Sequence, residues 1–81
     1  MATKLYPAAS VTHRTVETLL KEVSEQSRNY DRALKKLLRE KPGTDSYDGT
    51  LGRLWAEAEV LATKAQHATL VIDQYRDADP E

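Results

Sequence analysis

Apolar residues recur at steps of three and four along two stretches of this chain, and that spacing constrains the fold more than any other feature. In the second stretch the steps select eight apolar or aromatic residues: Leu51, Leu54, Ala58, Leu61, Ala65, Ala68, Ile72 and Tyr75. In the first stretch they select Val16, Leu20, Val23, Ser27, Tyr30, Leu34 and Leu37. This spacing is typical of one face of an α-helix and does not fit the alternation of a strand. The sequence therefore predicts two long helices.

Proline and glycine residues divide the chain. A Pro-Gly pair and a further glycine bracket a polar stretch, which predicts a loop over residues 42–49, because helix interiors disfavour both residue types. We predict one helix over about 11–41 and another over about 50–77, within a single domain. Residues 1–9 then form an N-terminal arm, and residues 78–81 form an acidic tail.

The predicted helix starts depend on polar residues that can accept a hydrogen bond from a first-turn amide. Ser10 is the predicted N-cap of the first helix, and Thr12 fits equally well. Asp48 or Thr50 is the predicted N-cap of the second helix. Gly52 is the one helix-breaking residue inside the second stretch.

A short connection between two helices predicts that they are antiparallel neighbours. Folding the chain about the middle of the predicted loop sets Leu37 opposite Leu54 and Ser27 opposite Ala65. The predicted fold class is therefore all-α, a long antiparallel two-helix hairpin resembling a short coiled coil.

Further apolar residues flank the predicted seam between the helices, and one seam cannot cover them all. Because contiguous exposed apolar patches usually mark interfaces, we expect a homo-oligomer. Two hairpins packed about a two-fold axis into a four-helix bundle are the favoured arrangement, and docking on another protein is the alternative. The candidate interface residues are Leu19, Ala33, Leu38, Trp55, Ala62, Leu70 and Val71.

Charge is nearly balanced over the chain, with 12 Lys+Arg against 13 Asp+Glu, which does not favour nucleic acid as the partner. One cationic cluster, called here the basic stripe, stands out near the end of the first helix. It is a candidate contact for nucleic-acid phosphates or an acidic protein, and it also suits the negative end of the helix dipole. We expect Glu57 and Glu59 to lie beside it and partly neutralise it. The basic stripe consists of Arg28, Arg32, Lys35, Lys36 and Arg39.

Few residues suggest chemistry. The chain has no cysteine, and neither His13 nor His67 follows a glutamate at the Glu-x-x-His spacing of helical metal sites. No acidic residue falls on either predicted seam, so no buried carboxylate suited to acid–base catalysis is predicted. We therefore expect no catalytic residue, no metal ligand and no cofactor. A metal-dependent enzyme built at a dimer axis remains a third alternative.

No apolar run approaches the roughly 20 residues that cross a bilayer, and the N-terminal residues lack the apolar core of a signal peptide. We therefore expect a cytoplasmic protein without a membrane partner. The leading hypothesis is a non-enzymatic interaction module, such as an adaptor, regulator or scaffold. It would act through self-association and its apolar flank, with Trp55 and Leu38 as candidate anchors, since tryptophan is enriched among residues that dominate binding.

Overall fold

A computed structural model describes residues 12–78 as two α-helices packed against each other in a hairpin. Helix α1 spans His13–Leu38 and has 26 residues, and helix α2 spans Asp45–Ala78 and has 34 residues. The predicted all-α antiparallel hairpin is confirmed. The predicted arm, Ser10 and the last three residues of the predicted tail lie outside the described residues.

Helix α1 begins after Thr12, which is its N-cap. The Oγ1 atom of Thr12 accepts a hydrogen bond of 3.3 Å from the backbone N–H of Thr15, and Thr15 Oγ1 accepts one of 3.5 Å from the Thr12 N–H. This reciprocal pair satisfies two amides that the helix itself cannot pair. The helix ends at Leu38, three residues before the predicted end, where the Arg39 N–H donates to the Lys36 carbonyl at 3.1 Å.

Helix α2 begins five residues earlier than the sequence predicts, and the predicted N-caps Asp48 and Thr50 are wrong. Thr44 is the residue that caps this helix. Its Oγ1 accepts a hydrogen bond of 3.1 Å from the Tyr47 N–H, and its carbonyl accepts one of 3.0 Å from the Asp48 N–H. Asp45 and Asp48 then lie in the first turn, where negative charge favours the helix dipole.

The early start places Gly49 and Gly52 inside α2, although each glycine costs a helix about 1 kcal/mol relative to alanine. Contact with α1 offsets this cost, because the added turn lets Thr50 become buried and Tyr47 half-buried. The connection therefore shrinks to residues 39–44. Gly43 has a φ of +89°, a backbone conformation that side-chain-bearing residues rarely adopt.

The predicted pairing of the two helices is wrong by roughly two turns. The Gln26 side-chain amide donates to the Glu57 carbonyl at 3.1 Å and to Glu57 Oε1 at 2.6 Å. Nearer the turn, Lys36 Nζ lies 3.4 Å from Thr50 Oγ1. The predicted register sets these α1 residues against much later parts of α2, because it assumes a loop that is centred too far along the chain.

Both helices are turned slightly from the predicted face. Most of the predicted seam positions are buried or half-buried: Val16, Val23, Tyr30, Leu34 and Leu37 in α1, and Leu54, Ala58, Leu61, Ala65, Ala68, Ile72 and Tyr75 in α2. At the other three positions, Leu20, Ser27 and Leu51, the residue that precedes the predicted one turns inward instead. Gln26 is buried while Ser27 is exposed, and Thr50 is buried while Leu51 is exposed.

Two predicted interface residues are consequently part of the core. Ala33 is 6% exposed and Val71 is 0% exposed, so neither side chain is available on the outside of the hairpin. The flanking position that the sequence analysis gives them depends on the wrong choice of seam. Four buried hydrophobic residues make up the core of the described hairpin: Ala33, Leu37, Ala68 and Val71.

Candidate functional site

A cleft of about 270 Å³ opens between the two helices near the turn. Helix α1 contributes residues spaced at three and four, and α2 contributes two residues spaced at three, so both rows face the same gap. Three of the lining side chains are cationic, and three are uncharged. This cationic cleft is lined by Asn29, Arg32, Ala33, Lys36, Thr50 and Arg53.

Each cation of the cleft is steadied by a neighbour. Lys36 Nζ lies 3.5 Å from Glu40 Oε2, and Arg53 Nε lies 3.7 Å from Glu57 Oε2. Arg32 donates a hydrogen bond to the Asn29 side-chain carbonyl. The lysine and Arg53 side chains nevertheless remain 61% and 73% exposed, so their ammonium and guanidinium groups stay open to solvent.

Glu40 ties the end of α1 to the start of α2. The Ser46 hydroxyl donates a hydrogen bond to Glu40 Oε2, and this bond holds the pKa of the Glu40 carboxyl below its ordinary value. A hydrogen bond from Thr50 and the charge of Lys36 lower the pKa further, while partial burial of the carboxyl opposes them. The carboxylate is thus held in its charged form at the turn end of the cleft.

The basic stripe is split by the fold. Arg32 and Lys36 line the cleft, whereas the other three members point outward from α1 and are exposed. Among these three, Arg28 Nη1 lies 3.5 Å from Ser24 Oγ, and Lys35 forms an ion pair of 3.0 Å with Asp31. Two cations of the basic stripe therefore face α2, and the other three face solvent.

Arg53 is the functional candidate that the sequence prediction misses. It joins the cluster from α2, and the observed register places it beside both Arg32 and Lys36. The Glu57 carboxylate lies 3.7 Å from Arg53, which is outside the basic stripe, so this contact does not test the predicted neutralisation of the stripe. Glu59 follows two residues, or about 200°, after Glu57, so it lies on a different side of α2.

The opposite side of the hairpin is apolar. Successive helical residues are about 100° apart, so a residue two positions after a cleft residue points away from the cleft. Leu38 follows Lys36 by two positions and is 74% exposed, and Trp55 follows Arg53 by two and is 68% exposed. The residues that follow the seam lie on this same side in both antiparallel helices. This apolar face comprises the exposed Leu20, Leu38, Leu51, Trp55 and Ala62, and the half-buried Leu34, Ala58 and Ala65 at its edge with the seam.

The remaining candidate interface residues are distributed unequally. Leu38, Trp55 and Ala62 lie on the apolar face, whereas Leu19 is half-buried toward the seam. Leu70 is exposed, but it directly precedes the buried Val71, so it lies on the side of α2 that carries the cleft rather than on the apolar face.

Metal-binding residues do not converge in the described hairpin. Within residues 12–78 no group of three or more His, Cys, Asp or Glu side chains is arranged to hold a metal ion. His13 Nε2 lies 3.2 Å from Glu17 Oε2, an exposed pair at the i, i+4 spacing of a helix surface. Neither helix, over the same residues, combines the length and apolar character needed to cross a membrane.

Comparison with known proteins adds no relative to this description. No family model matches the chain, and neither a curated protein nor a solved structure is significantly similar to it. The candidate sites are consequently the apolar face and the cationic cleft, defined by geometry and charge.

Proposed function

We propose that this protein is a non-enzymatic interaction module that self-associates through its apolar face, pairing two hairpins into a four-helix bundle. The observation that carries the proposal is the position of Leu38 and Trp55. Both are more than two-thirds exposed, and both lie on the side that faces away from the cationic cleft. Contiguous apolar surface of this kind, bounded by polar side chains, is typical of protein–protein interfaces.

The area available agrees with such an interface. The chain exposes 6215 Å², whereas a compact monomer of the same mass exposes about 4,900 Å². An elongated two-helix hairpin thus exposes more surface than a compact chain of its mass, and each partner in an interface of standard size contributes roughly 800 Å². Burying part of this surface would supply hydrophobic stabilisation that the small core of the hairpin lacks.

A second copy of the chain is the occupant that fits best. The apolar positions of each helix form a stripe, and contact between α1 and α2 covers only one edge of it. Packing two such stripes about a two-fold axis covers the other edge and gives the geometry of a four-helix bundle. Because the opposite side of the hairpin is charged, a pair closes the assembly and no open-ended polymer follows.

Small residues in the middle of the apolar face favour close approach of the two copies. Ala58, Ala62 and Ala65 succeed one another along α2, beyond the bulky Leu51 and Trp55 nearer the turn. Side chains of alternating size allow facing layers to interdigitate. Trp55 is the expected main anchor, because tryptophans in interfaces often account for much of the binding energy.

Sedimentation equilibrium over a concentration series tests the proposal directly. We expect the unmodified protein to be a dimer. Leu38→Asp and Trp55→Ala should each weaken dimerisation about thirtyfold or more, the effect of losing an interface residue worth about 2 kcal/mol. Far-ultraviolet circular dichroism of each variant should report unchanged helix content.

Leu70→Asp is the matched control, because it introduces the same charge at an exposed leucine outside the apolar face. Its dimerisation constant should remain close to that of the unmodified protein. If Leu70→Asp disrupts the dimer as much as Leu38→Asp, the interface is not the apolar face. A chain that stays monomeric at high concentration contradicts the proposal altogether.

A further inference from the structure

We infer that the cationic cleft is a binding site for a phosphate group. Within the described residues, cationic side chains from both helices converge on this cleft. Arg32 and Lys36 line it from α1, and Arg53 lines it from α2. Two uncharged polar residues, Asn29 and Thr50, complete the lining. Of the three cations, Lys36 also contacts the other helix, with Nζ 3.4 Å from Thr50 Oγ1.

The side chains in the cleft have the donor geometry that phosphate oxygens need. A guanidinium group offers five N–H donors in a planar fork, and an ammonium group offers three donors around a point charge. Arg53 contacts Glu57 through Nε at 3.7 Å, an arrangement that lets its terminal amino groups point toward a ligand. Asn29 and Thr50 contribute polar lining, but the Asn29 amide already donates to Gln26 Oε1 at 3.3 Å and the Thr50 hydroxyl to Glu40, so the three cations are the main donors for a ligand.

The carboxylates beside the cleft hold the cations in place without saturating them. The N···O distances are 3.5 Å in the Lys36–Glu40 pair and 3.7 Å in the Arg53–Glu57 pair. Both are longer than a strong charge-assisted hydrogen bond, which measures about 2.7–2.9 Å. Loose, solvent-exposed pairs of this kind contribute little stability. A phosphate group can therefore draw both cations toward itself at a small cost.

The shape of the cleft favours a compact phosphate over an extended nucleic acid. A volume of about 270 Å³ accommodates a phosphate or pyrophosphate group between the helices. A nucleic-acid strand would instead follow the exposed cations on the outer side of α1, where Arg28 lies. The ligand class is therefore a small molecule with a terminal phosphate.

This site is independent of the proposed self-association, because the cleft and the apolar face lie on opposite sides of the hairpin. A dimer built on the apolar face leaves both of its clefts open. Failure of dimerisation therefore does not remove the phosphate site, and failure of phosphate binding does not remove the dimer.

Titration of the full chain with inorganic pyrophosphate, followed by calorimetry and by the Nε–Hε nuclear magnetic resonance signals of the arginines, tests the inference. We expect saturable binding with shifts at Arg32 and Arg53. Arg53→Ala and Lys36→Ala should each weaken binding about tenfold or more, because each removes a hydrogen-bond donor that is also charged. Absence of saturable binding overturns the inference.

Arg28→Ala is the matched control. It removes one positive charge, as the other two variants do, but from a position on α1 outside the cleft. Its pyrophosphate affinity should stay within about twofold of the unmodified value, as expected for a screened and solvent-exposed charge. An equal loss in Arg28→Ala and Arg53→Ala overturns the inference, because binding would then follow net charge alone.

Titration with a short single-stranded oligonucleotide distinguishes a small phosphate ligand in the cleft from a nucleic acid bound along the outer side of α1. We expect it to bind more weakly than pyrophosphate at the same salt concentration. An oligonucleotide that binds more tightly, and that loses affinity equally with Arg28→Ala and Arg53→Ala, overturns the inference in favour of nucleic acid on the outer side of α1. Circular dichroism confirms that every variant remains helical.

Discussion

The apolar face and the cationic cleft arise from the same turns of the same helices, yet they have opposite character. Lys36 and Leu38 are two residues apart in α1, and so are Arg53 and Trp55 in α2. Each pair is divided by about 200° of helix rotation. The rotation of each helix about its axis, more than its composition, therefore decides which surface a partner meets.

The rotation also explains an unusual choice of core. The hairpin buries Gln26 and half-buries Glu57, whereas Leu20 and Leu51, which lie next to the seam, stay exposed. Two hydrogen bonds between Gln26 and Glu57 limit the cost of placing polar groups in the seam. The leucines are left outside, which is the arrangement expected if a second copy covers them.

The largest effect on stability should distinguish two adjacent leucines, one in the core and one on the apolar face. Leu37 is 7% exposed and Leu38 is 74% exposed. Leu37→Ala should lower the free energy of unfolding by about 2–5 kcal/mol, because it leaves a cavity in the core. Leu38→Ala should change it by less than about 0.5 kcal/mol when the chain is dilute and monomeric.

Urea unfolding followed by circular dichroism measures both leucine variants. Equal destabilisation by Leu37→Ala and Leu38→Ala would show that the helix is not rotated as the structure has it. Repeating the measurement at high protein concentration should increase the effect of Leu38→Ala alone, since only this leucine belongs to the apolar face.

A second and smaller effect concerns the polar seam. Gln26→Ala should destabilise the hairpin by about 1–3 kcal/mol, because the Glu57 carbonyl and carboxylate lose a buried donor. Ser27→Ala, at the neighbouring exposed position, should leave the stability nearly unchanged. Thermal unfolding of the two variants compares them, and a more damaging Ser27→Ala would favour the predicted seam over the observed one.

Glycine substitutions test where α2 begins, which sets the register and hence the separation of the two sides. Gly43→Ala should destabilise the chain by roughly 1–2 kcal/mol, because its φ of +89° strains any other residue. Gly49→Ala should instead stabilise it by up to about 1 kcal/mol, since a methyl group there meets no atom within 4 Å. Loss of stability at Gly49 would place that residue in a loop, as the sequence predicts.

The smallest effect concerns the turn end of the cleft. Because folding lowers the pKa of Glu40, this carboxyl stabilises the fold above its unfolded pKa, and that contribution disappears as the pH falls through the folded pKa. Acidification from neutral pH should therefore destabilise the unmodified chain slightly more than Glu40→Gln. Parallel urea titrations measure the difference, and identical pH profiles would contradict a stabilising role for this carboxylate.

Part of this structure follows from the sequence by local rules. The spacing of Leu54, Leu61 and Ala68 predicts a helix with this face inward, and the structure confirms it. Thr12 as a cap follows from the same reasoning. The exposure of Leu38 and Trp55 is also consistent with their position beside the predicted seam, although the interface that they would form remains a prediction.

The register could not be predicted in this way. Two glycines in the first turns of α2 argue for a later start, and the Thr44 cap together with the contact between Thr50 and α1 outweighs them. The observed seam includes Gln26, Thr50 and Glu57, so it fits the apolar spacing less well than the predicted seam does. The choice between them depends on pairing both helices at once, so no single-helix pattern contains it. The place of Arg53 in the cationic cleft depends on the same pairing.

The amino-acid sequence by itself determined that this chain forms two amphipathic helices joined by one reversal, because helical periodicity and helix-breaking residues act over a few neighbouring positions. Tertiary structure alone decided the start of α2, the rotation of both helices and the grouping of Arg32, Lys36 and Arg53. These features depend on contacts between residues far apart in the chain, whose free energies outweigh the local preference of Gly49 and Gly52.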